Sequence, residues 1–256
     1  MNSSQIRGVI FDLGSTLIDF EADYASVIPD SIAILADYLL EQGLVVGRSE
    51  FIETFHQALR DYHANRDENH IERTTFTILR EVLDDQGGQN LEDQVLRVGL
   101  TAMYAVSEAY WKPKPAMLTI LDQLSSAGFR LGLLSNAGDE ANVQRLIDKV
   151  GIRAYFDPIL ISAALGIRKP DPRPLQMILA HWGLLASEVV MVGDLLEADI
   201  LGAQRAGMHH IWLCENRDPE SSTQLEEIQP EAIARDLAEV PIIIQKWNLK
   251  GSPRGF

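Results

Sequence analysis

The 256-residue chain is poor in cysteine, in positive charge and in long apolar runs. Its single cysteine, Cys214, can close no intrachain disulfide and cannot build a cysteine-rich zinc site. Lysine and arginine total 22 against 37 Asp and Glu, a net charge of −15. So acidic a chain has few cations to set against a phosphate backbone or anionic lipid, so neither nucleic acid nor a membrane surface is expected as a partner. No stretch reaches the roughly 18 apolar residues of a membrane span. Residues 1–7 lack the apolar centre of a signal peptide, so a soluble, cytoplasmic protein is expected. There is no Gly-Lys pair to make a P-loop and no Gly-x-Ser-x-Gly nucleophile elbow. What is present is ordinary globular composition, 46% hydrophobic and 23% charged, in a chain long enough for one or two domains with a substantial core. No feature specifies an oligomeric state.

Residues 7–12 (RGVIFD) form a β-branched apolar run that stops at an acid, and residues 13–16 break it, as a buried strand ending in a functional loop would. From 19 to 111 the pattern is helical. Residues 31–40 carry Ile32, Leu35 and Leu39 on one face with Gly43 as a stop. Ser49 is the expected N-cap of a second helix, whose apolar stripe includes Phe51, Phe55, Leu59 and Tyr62. Two more helices are expected near 73–83 and 91–110, separated by Gly87-Gly88. Beyond Pro113, strands at 129–135, 158–162, 188–193 and 210–213 alternate with helices at 116–127, 139–150, 174–182 and 198–206. The tail from 248 to 256 reads as frayed. This alternation predicts an α/β fold, a doubly wound parallel sheet with functional residues at the carboxyl ends of strands. The helical block at 19–111 is too long for a loop and reads as an inserted all-helical cap over a core formed by 1–18 and 112–256.

Four strand ends carry chemistry: Asp12; Ser135-Asn136; Lys169 in RKPDP; and Asp194 with Asp199 five residues on. Carboxylates gathered at one edge suit Mg²⁺, which takes a few carboxylate oxygens together with waters and substrate phosphate. Lys169 is a point charge suited to a phosphoryl group, and Ser135 precedes a helix whose first amides could face an anion. An Asp beside such a site can act as a nucleophile and form an aspartyl-phosphate.

Four segments, VIFDLGSTL (9–17), LGLLSN (131–136), GIRKPDP (166–172) and VGDLLEADILGAQRAGM (192–208), resemble in order and spacing the motifs of the haloacid-dehalogenase-like hydrolases. The resemblance runs over about residues 6–247 and includes a helical cap like that of phosphoglycolate-phosphatase-like members. It implies Asp12 as nucleophile, Ser135 as a phosphate hydrogen bonder with Asn136, Ser15 and Thr16 beside it, and Lys169 as the cation on nucleophile and phosphoryl oxygens. Asp12, Asp194, Asp199 and the Gly14 carbonyl are the implied Mg²⁺ ligands, and a small phosphorylated metabolite is the implied substrate.

Family phosphatases read Asp-x-Asp-Gly-Thr at the first motif, whereas this chain has Gly14 where the second, acid–base carboxylate belongs. Such help is typically worth about 10²–10⁴ in rate. Three functions follow: a phosphatase of esters with a good leaving group or with help from Ser15, the cap or water; a C–halogen hydrolase; and a catalytically silent phosphate- or protein-binding homologue. Haloacid dehalogenases need no metal, and Asp194 with Asp199 counts against that reading. A phosphonoacetaldehyde hydrolase needs a cap lysine, and residues 19–111 contain none.

The cap holds 18 Asp and Glu against 6 Arg, net −12, and reads as a solvated acidic surface. That counts against a highly anionic substrate such as a bisphosphate, although one placed arginine among Arg48, Arg60, Arg66 and Arg73 could hold a carboxylate. His56, His63 and His70 lack the spacing of a helical zinc pair and read as solvated or packed. His209, His210 and the four tryptophans read as structural, and Thr16 as a hydrogen-bonded turn cap.

Overall fold

The structure, a computed structural model, describes residues 5–45, 47–66, 69–87, 92–215 and 227–251. Gly88 and the expected helix start at Leu91 fall outside these residues.

The first strand, β1 (Gly8–Phe11), leads through a tight loop to β2 (Ile18–Phe20) and then to helices α1 (Tyr24–Glu41), α2 (Arg48–Asn65), α3 (Thr75–Asp85) and α4 (Asp93–Glu108). The chain returns through β3 (Trp111–Pro113), α5 (Met117–Ser126), β4 (Arg130–Ser135), α6 (Glu140–Lys149), β5 (Ile159–Ile161), α7 (Ser162–Leu165) and α8 (Arg173–Trp182). It ends with β6 (Val189–Gly193), a π-helical turn at Leu196–Ile200 continuing into α9 (Leu201–Ala206), β7 (His209–Leu213), β8 (Ala232–Ala234) and α10 (Glu239–Gly251).

Six strands form one parallel sheet in the order β5-β4-β1-β6-β7-β8. The chain progresses outward from β1 on both sides, so the order reverses there. A crevice opens beyond the carboxyl ends of β1, β4 and β6, the usual ligand position in such sheets. The central strands β1 and β6 are apolar throughout because both of their faces are covered. Val9 and Phe11 face one core with Leu133 and Val192, while Ile10 faces the other with Met191 and Trp182.

The cap helices have a core of their own around Leu35, Phe51, Phe55, Leu79, Leu83 and Leu96. Cap and sheet are joined by an antiparallel ribbon of β2 and β3, with Phe20 opposite Trp111. Phe20 also packs on Tyr24 at 4.3 Å and on Trp111 at 5.2 Å between ring centroids. Beside the ribbon, buried Lys114 is ion-paired with Asp19 at 2.9 Å and with Glu215. No helix among the described residues is long and apolar enough to cross a membrane.

Several expectations are corrected. The ribbon strands were not anticipated, nor were β8 and α10, and the stretch 248–251 of the expected frayed tail is helical. The first cap helix begins at Tyr24, not near 31. Asp23 caps it and Pro29 sits inside it, where the missing N–H costs one backbone bond. The second starts from Gly47, so Ser49 lies inside the helix and caps nothing.

Candidate active site

The reversal of strand order at β1 places the ends of β1, β4 and β6 side by side, and each delivers polar residues. Asp12 follows β1, Ser135 ends β4, and Asp194 follows β6. Lys169 arrives from the segment between α7 and α8 and is 1% exposed. Its Nζ donates to Asp12 Oδ1 at 2.6 Å and to the Leu134 carbonyl at 2.7 Å, and lies 2.8 Å from Asp199 Oδ1. One ammonium group therefore joins the acids of the first and fourth motifs.

Asp12, Asp194 and Asp199 are all buried, and each brings one carboxylate oxygen within 4.8 Å of the others. Three carboxylates against a single Lys169 leave an excess of negative charge in a low-dielectric place, which a divalent cation would relieve. Burial pushes the pKa of Asp12 up to about 6; the Asp199 charge adds to the rise, and Lys169 opposes it. Burial disfavours the Lys169 charge, but Asp12 and Asp199 more than offset this, and its pKa is raised.

Asp199 is held by the π-helical turn. Its Oδ2 accepts from the Leu195 N–H at 3.0 Å. It can occupy this place only because residue 193 has no side chain. A Cβ on Gly193 would lie 2.2 Å from Asp199 Cγ. The Trp212 indole N–H donates to the Asp194 carbonyl at 2.9 Å and anchors the backbone of that acid.

Asn136 also has a task that was not expected. Its Nδ2 donates to the Lys169 carbonyl and its Oδ1 accepts from the Lys169 N–H, both at 2.9 Å. Both ends of the side-chain amide thus hold the backbone of Lys169, and Asn136 borders the cavity between sheet and cap as well. Thr16 is also corrected. It is fully buried, is not on the cavity wall, and its Oγ1 has no hydrogen-bond partner among the described residues, so it caps no turn. Ser15 is exposed at the cavity with a left-handed φ of 57°, and its N–H donates to the Ile18 carbonyl at 2.7 Å. An L-residue in that region is uncommon outside constrained sites.

Asp12, Gly14, Ser15, Ser135, Lys169, Asp194 and Asp199 all border one cavity of about 610 Å³ between sheet and cap. Its volume suits a small metabolite. Trp111 also lines it, within 3.4 Å of where a Gly14 Cβ would stand, so this tryptophan does more than pack the ribbon. His56 and His63 line the cavity as well. His70 does not; its Nε2 lies 3.1 Å from Arg205 Nη1. His209 and His210 are structural as expected, both bound to Glu231.

Sequence reading missed Glu72. It sits in the loop before α3, and its side chain is 2% exposed. Tyr62 Oη donates to its Oε1 at 2.6 Å and Ser162 Oγ to its Oε2 at 2.7 Å. Ser162 Oγ in turn accepts from the Ala137 N–H at 2.8 Å. The same loop pairs with the segment leading to Lys169: Glu72 N–H donates to Gly166 O, and Arg168 N–H to His70 O, both at 3.1 Å. A cap loop is thereby joined to both segments that follow β4 and precede α8. A lone Glu among 18 cap acids carries no local pattern that would have marked it.

A family model for haloacid dehalogenase-like hydrolases matches residues 6–207. The chain is 28% identical over 203 residues to a glyceraldehyde 3-phosphate phosphatase of Methanopyrus kandleri, covering 79% of this chain and 82% of that one. It is 29% identical over 213 residues to a phosphoglycolate phosphatase of Vibrio parahaemolyticus, covering 81% and 83%. Among solved structures, a 2-haloacid dehalogenase from Pseudomonas syringae superposes with a TM-score of 0.70 at 29% identity, over 95% of this chain and all of that one. The acids and lysine gathered at the reversal point of the sheet, the helical cap and the match across most of the chain agree: this protein is an enzyme of the haloacid dehalogenase-like hydrolase family.

Proposed function

We propose that this enzyme is a Mg²⁺-dependent phosphatase of small phosphomonoesters that works through an aspartyl-phosphate on Asp12. The observation that carries the reading is the buried triad of Asp12, Asp194 and Asp199 bridged by Lys169. A C–halogen hydrolase, which needs no metal, has no use for two further buried carboxylates beside its nucleophile. The phosphatase names of the sequence relatives support the same reading.

Asp12, Asp194 and Asp199, with the Gly14 carbonyl, would hold the cation, and bound there it would supply charge neutralisation for the phosphoryl oxygens. The chain's own residues do the rest. Lys169 fixes Asp12 through Oδ1 and offsets charge as the carboxylate attacks phosphorus and the alkoxide leaves. Asn136 holds the lysine backbone in place. Ser135, at the end of β4, hydrogen-bonds a phosphoryl oxygen. Water then attacks the aspartyl-phosphate, releasing phosphate and restoring Asp12. The cap over the cavity excludes bulk water and meets the leaving group. We place the cap at residues 19–111 and the core at 1–18 and 112–256, a division that the β2–β3 ribbon and the separate apolar core support.

Position 14 carries no acid–base carboxylate, so esters with good leaving groups are the better substrates. The structural likeness to a 2-haloacid dehalogenase keeps halide release as the second reading. A phosphate-release screen with and without Mg²⁺, run beside halide release from 2-haloacids, decides between them. Mg²⁺-dependent phosphate release lost in Asp12→Asn is expected; halide release insensitive to a chelator would overturn the proposal.

A further inference from the structure

Residues 70–75 of the cap, the stretch that runs into α3, are hydrogen-bonded to both core segments that carry Ser135 and Lys169. On one segment, the Arg168 N–H donates to the His70 carbonyl and the Glu72 N–H to the Gly166 carbonyl, both at 3.1 Å. Ile71 and Ile167 thereby form an antiparallel bridge just before Lys169. On the other, the Thr75 N–H donates to the Gly138 carbonyl at 2.8 Å. That approach suits a glycine, because a Cβ at 138 would lie 2.8 Å from Thr75 Oγ1. Ser162, the first residue of α7, adds a side-chain link: its Oγ donates to Glu72 Oε2 and accepts from the Ala137 N–H. The cap thus holds the core chain at 137 and 138, just past Ser135, and at 166 and 168, just before Lys169.

The Ser162 hydroxyl has one proton and two acceptors in reach, Glu72 Oε2 at 2.7 Å and the Ala137 carbonyl at 3.3 Å. The carboxylate is nearer and charged, so it takes the proton, and the hydroxyl lone pairs are left for the Ala137 N–H at 2.8 Å. Glu72 therefore sets the direction of this link. Ala137 follows Asn136, whose carboxamide holds both backbone groups of Lys169, and Lys169 in turn holds Asp12. Glu72 borders the cavity, but its two oxygens are engaged by Tyr62 and Ser162, so it acts through these neighbours. We propose that Glu72 is a positioning residue for the reaction: through Ser162 it holds residues 135–138 against the Lys169 segment, and the phosphoryl site has its full geometry only with the cap loop seated. Removing Glu72 then costs rate as well as stability. This assignment rests on the phosphatase reading for its assay and adds to it a residue far from the sheet edge in sequence.

The test compares the full-length Glu72→Gln, Ser162→Ala and double variants with the parent, at a temperature where circular dichroism shows each of them folded. With p-nitrophenyl phosphate and Mg²⁺, kcat is expected to fall about 10–100-fold in each single variant with KM within about threefold, the scale of a small misplacement of reacting groups. The double variant is expected to fall no further than the worse single one, because both substitutions break the same link. Amide exchange at Lys169 is the second readout. Its N–H donates to Asn136 Oδ1 and not to the cap, so faster exchange there in Glu72→Gln, beyond any change at the β1 amides that report global unfolding, shows that the loss reaches the catalytic segment. An unchanged kcat in the folded single variants overturns the proposal, as does a rise in KM alone, which would mark a cap that merely holds substrate less tightly. Fully multiplicative losses in the double variant, or an unchanged Lys169 amide, overturn it too. If the parent releases no phosphate from any ester, the phosphatase reading fails, while Lys169 exchange still decides the positioning claim.

Discussion

Replacing Glu72 by alanine is expected to cost about 3–5 kcal/mol of stability, the range for removing one partner from a buried charged network. The figure can be built from the contacts. Two hydroxyls donate to this carboxylate, Tyr62 Oη at 2.6 Å and Ser162 Oγ at 2.7 Å, and each such bond to a charged group is worth about 1.5–3 kcal/mol when lost. The Tyr62 pKa is raised by burial and by this hydrogen bond, so the phenol stays protonated and keeps donating at neutral pH. Arg168 Nε lies 3.8 Å from Oε2 and loses part of its electrostatic balance as well. Glu72→Gln keeps the shape and one good acceptor. It points an NH₂ group at one hydroxyl, so about half the alanine penalty is expected. Urea unfolding measures both variants, and amide hydrogen exchange locates the damage. Faster exchange is expected at Glu72, Ala137 and Arg168, whose N–H groups bond to Gly166 O, Ser162 Oγ and His70 O. A loss below about 1 kcal/mol for the alanine variant, or unchanged protection at these three amides, would refute the claim that Glu72 fastens the cap loop to the catalytic segments.

Three other substitutions probe separate parts of the site and fold. Gly193→Ala places a Cβ where the Asp199 carboxylate stands, so Mg²⁺ affinity measured by calorimetry is expected to fall about tenfold or more, with the overall fold kept by the circular dichroism spectrum. Gly14→Asp meets only ordinary contact with Trp111 and needs no left-handed backbone; hydrolysis of alkyl phosphates, which need leaving-group protonation, is expected to rise toward the 10²–10⁴-fold of acid–base help, and far more than that of p-nitrophenyl phosphate. The hydrogen bond that His209 donates to the Glu231 carboxylate raises the His209 pKa, so its contribution is present below the ordinary value near 6.5 and is lost as pH rises through the raised one. The stability gap between the parent and His209→Gln in urea is therefore expected to be wider at pH 6 than at pH 9, and a gap that widens with pH would contradict the assignment.

The sheet was legible because parallel strands buried on both faces read as continuous apolar runs, and residues 8–11, 130–135 and 189–193 are such runs. The positions of Asp12, Ser135 and Asp194 at strand ends were legible for the same reason, and the structure gathers them at one cavity with Lys169, from the segment between α7 and α8, and Asp199, from the π-helical turn. Short elements were not. The strands β2 and β3 have three residues each and pair across some ninety residues, too few positions for an alternation signal and too distant for a turn signal. The first two turns of α1 were hidden by Pro29, which reads locally as a helix breaker yet is carried by packing of Val27, Ser31 and Ile32. Asn136 shows a subtler limit. Its place was visible, but whether a carboxamide faces substrate or backbone depends on a segment 33 residues away.

The cap shows why charge counts mislead about substrates. Net charge sums over a surface, whereas a ligand responds to the few groups within about a Debye length of it and screened least by water. The cap's −12 is dominated by carboxylates outside the cavity, where water and salt reduce their influence. At the catalytic end of the cavity the balance is set by Lys169 among three aspartates. An acidic enzyme can therefore accept an anion, provided its acids either surround a metal site or face solvent. The missing carboxylate at position 14 fits the same logic. The first-motif loop then adds no further negative charge where the ester oxygen must sit, and the demand for a proton passes to the leaving group itself.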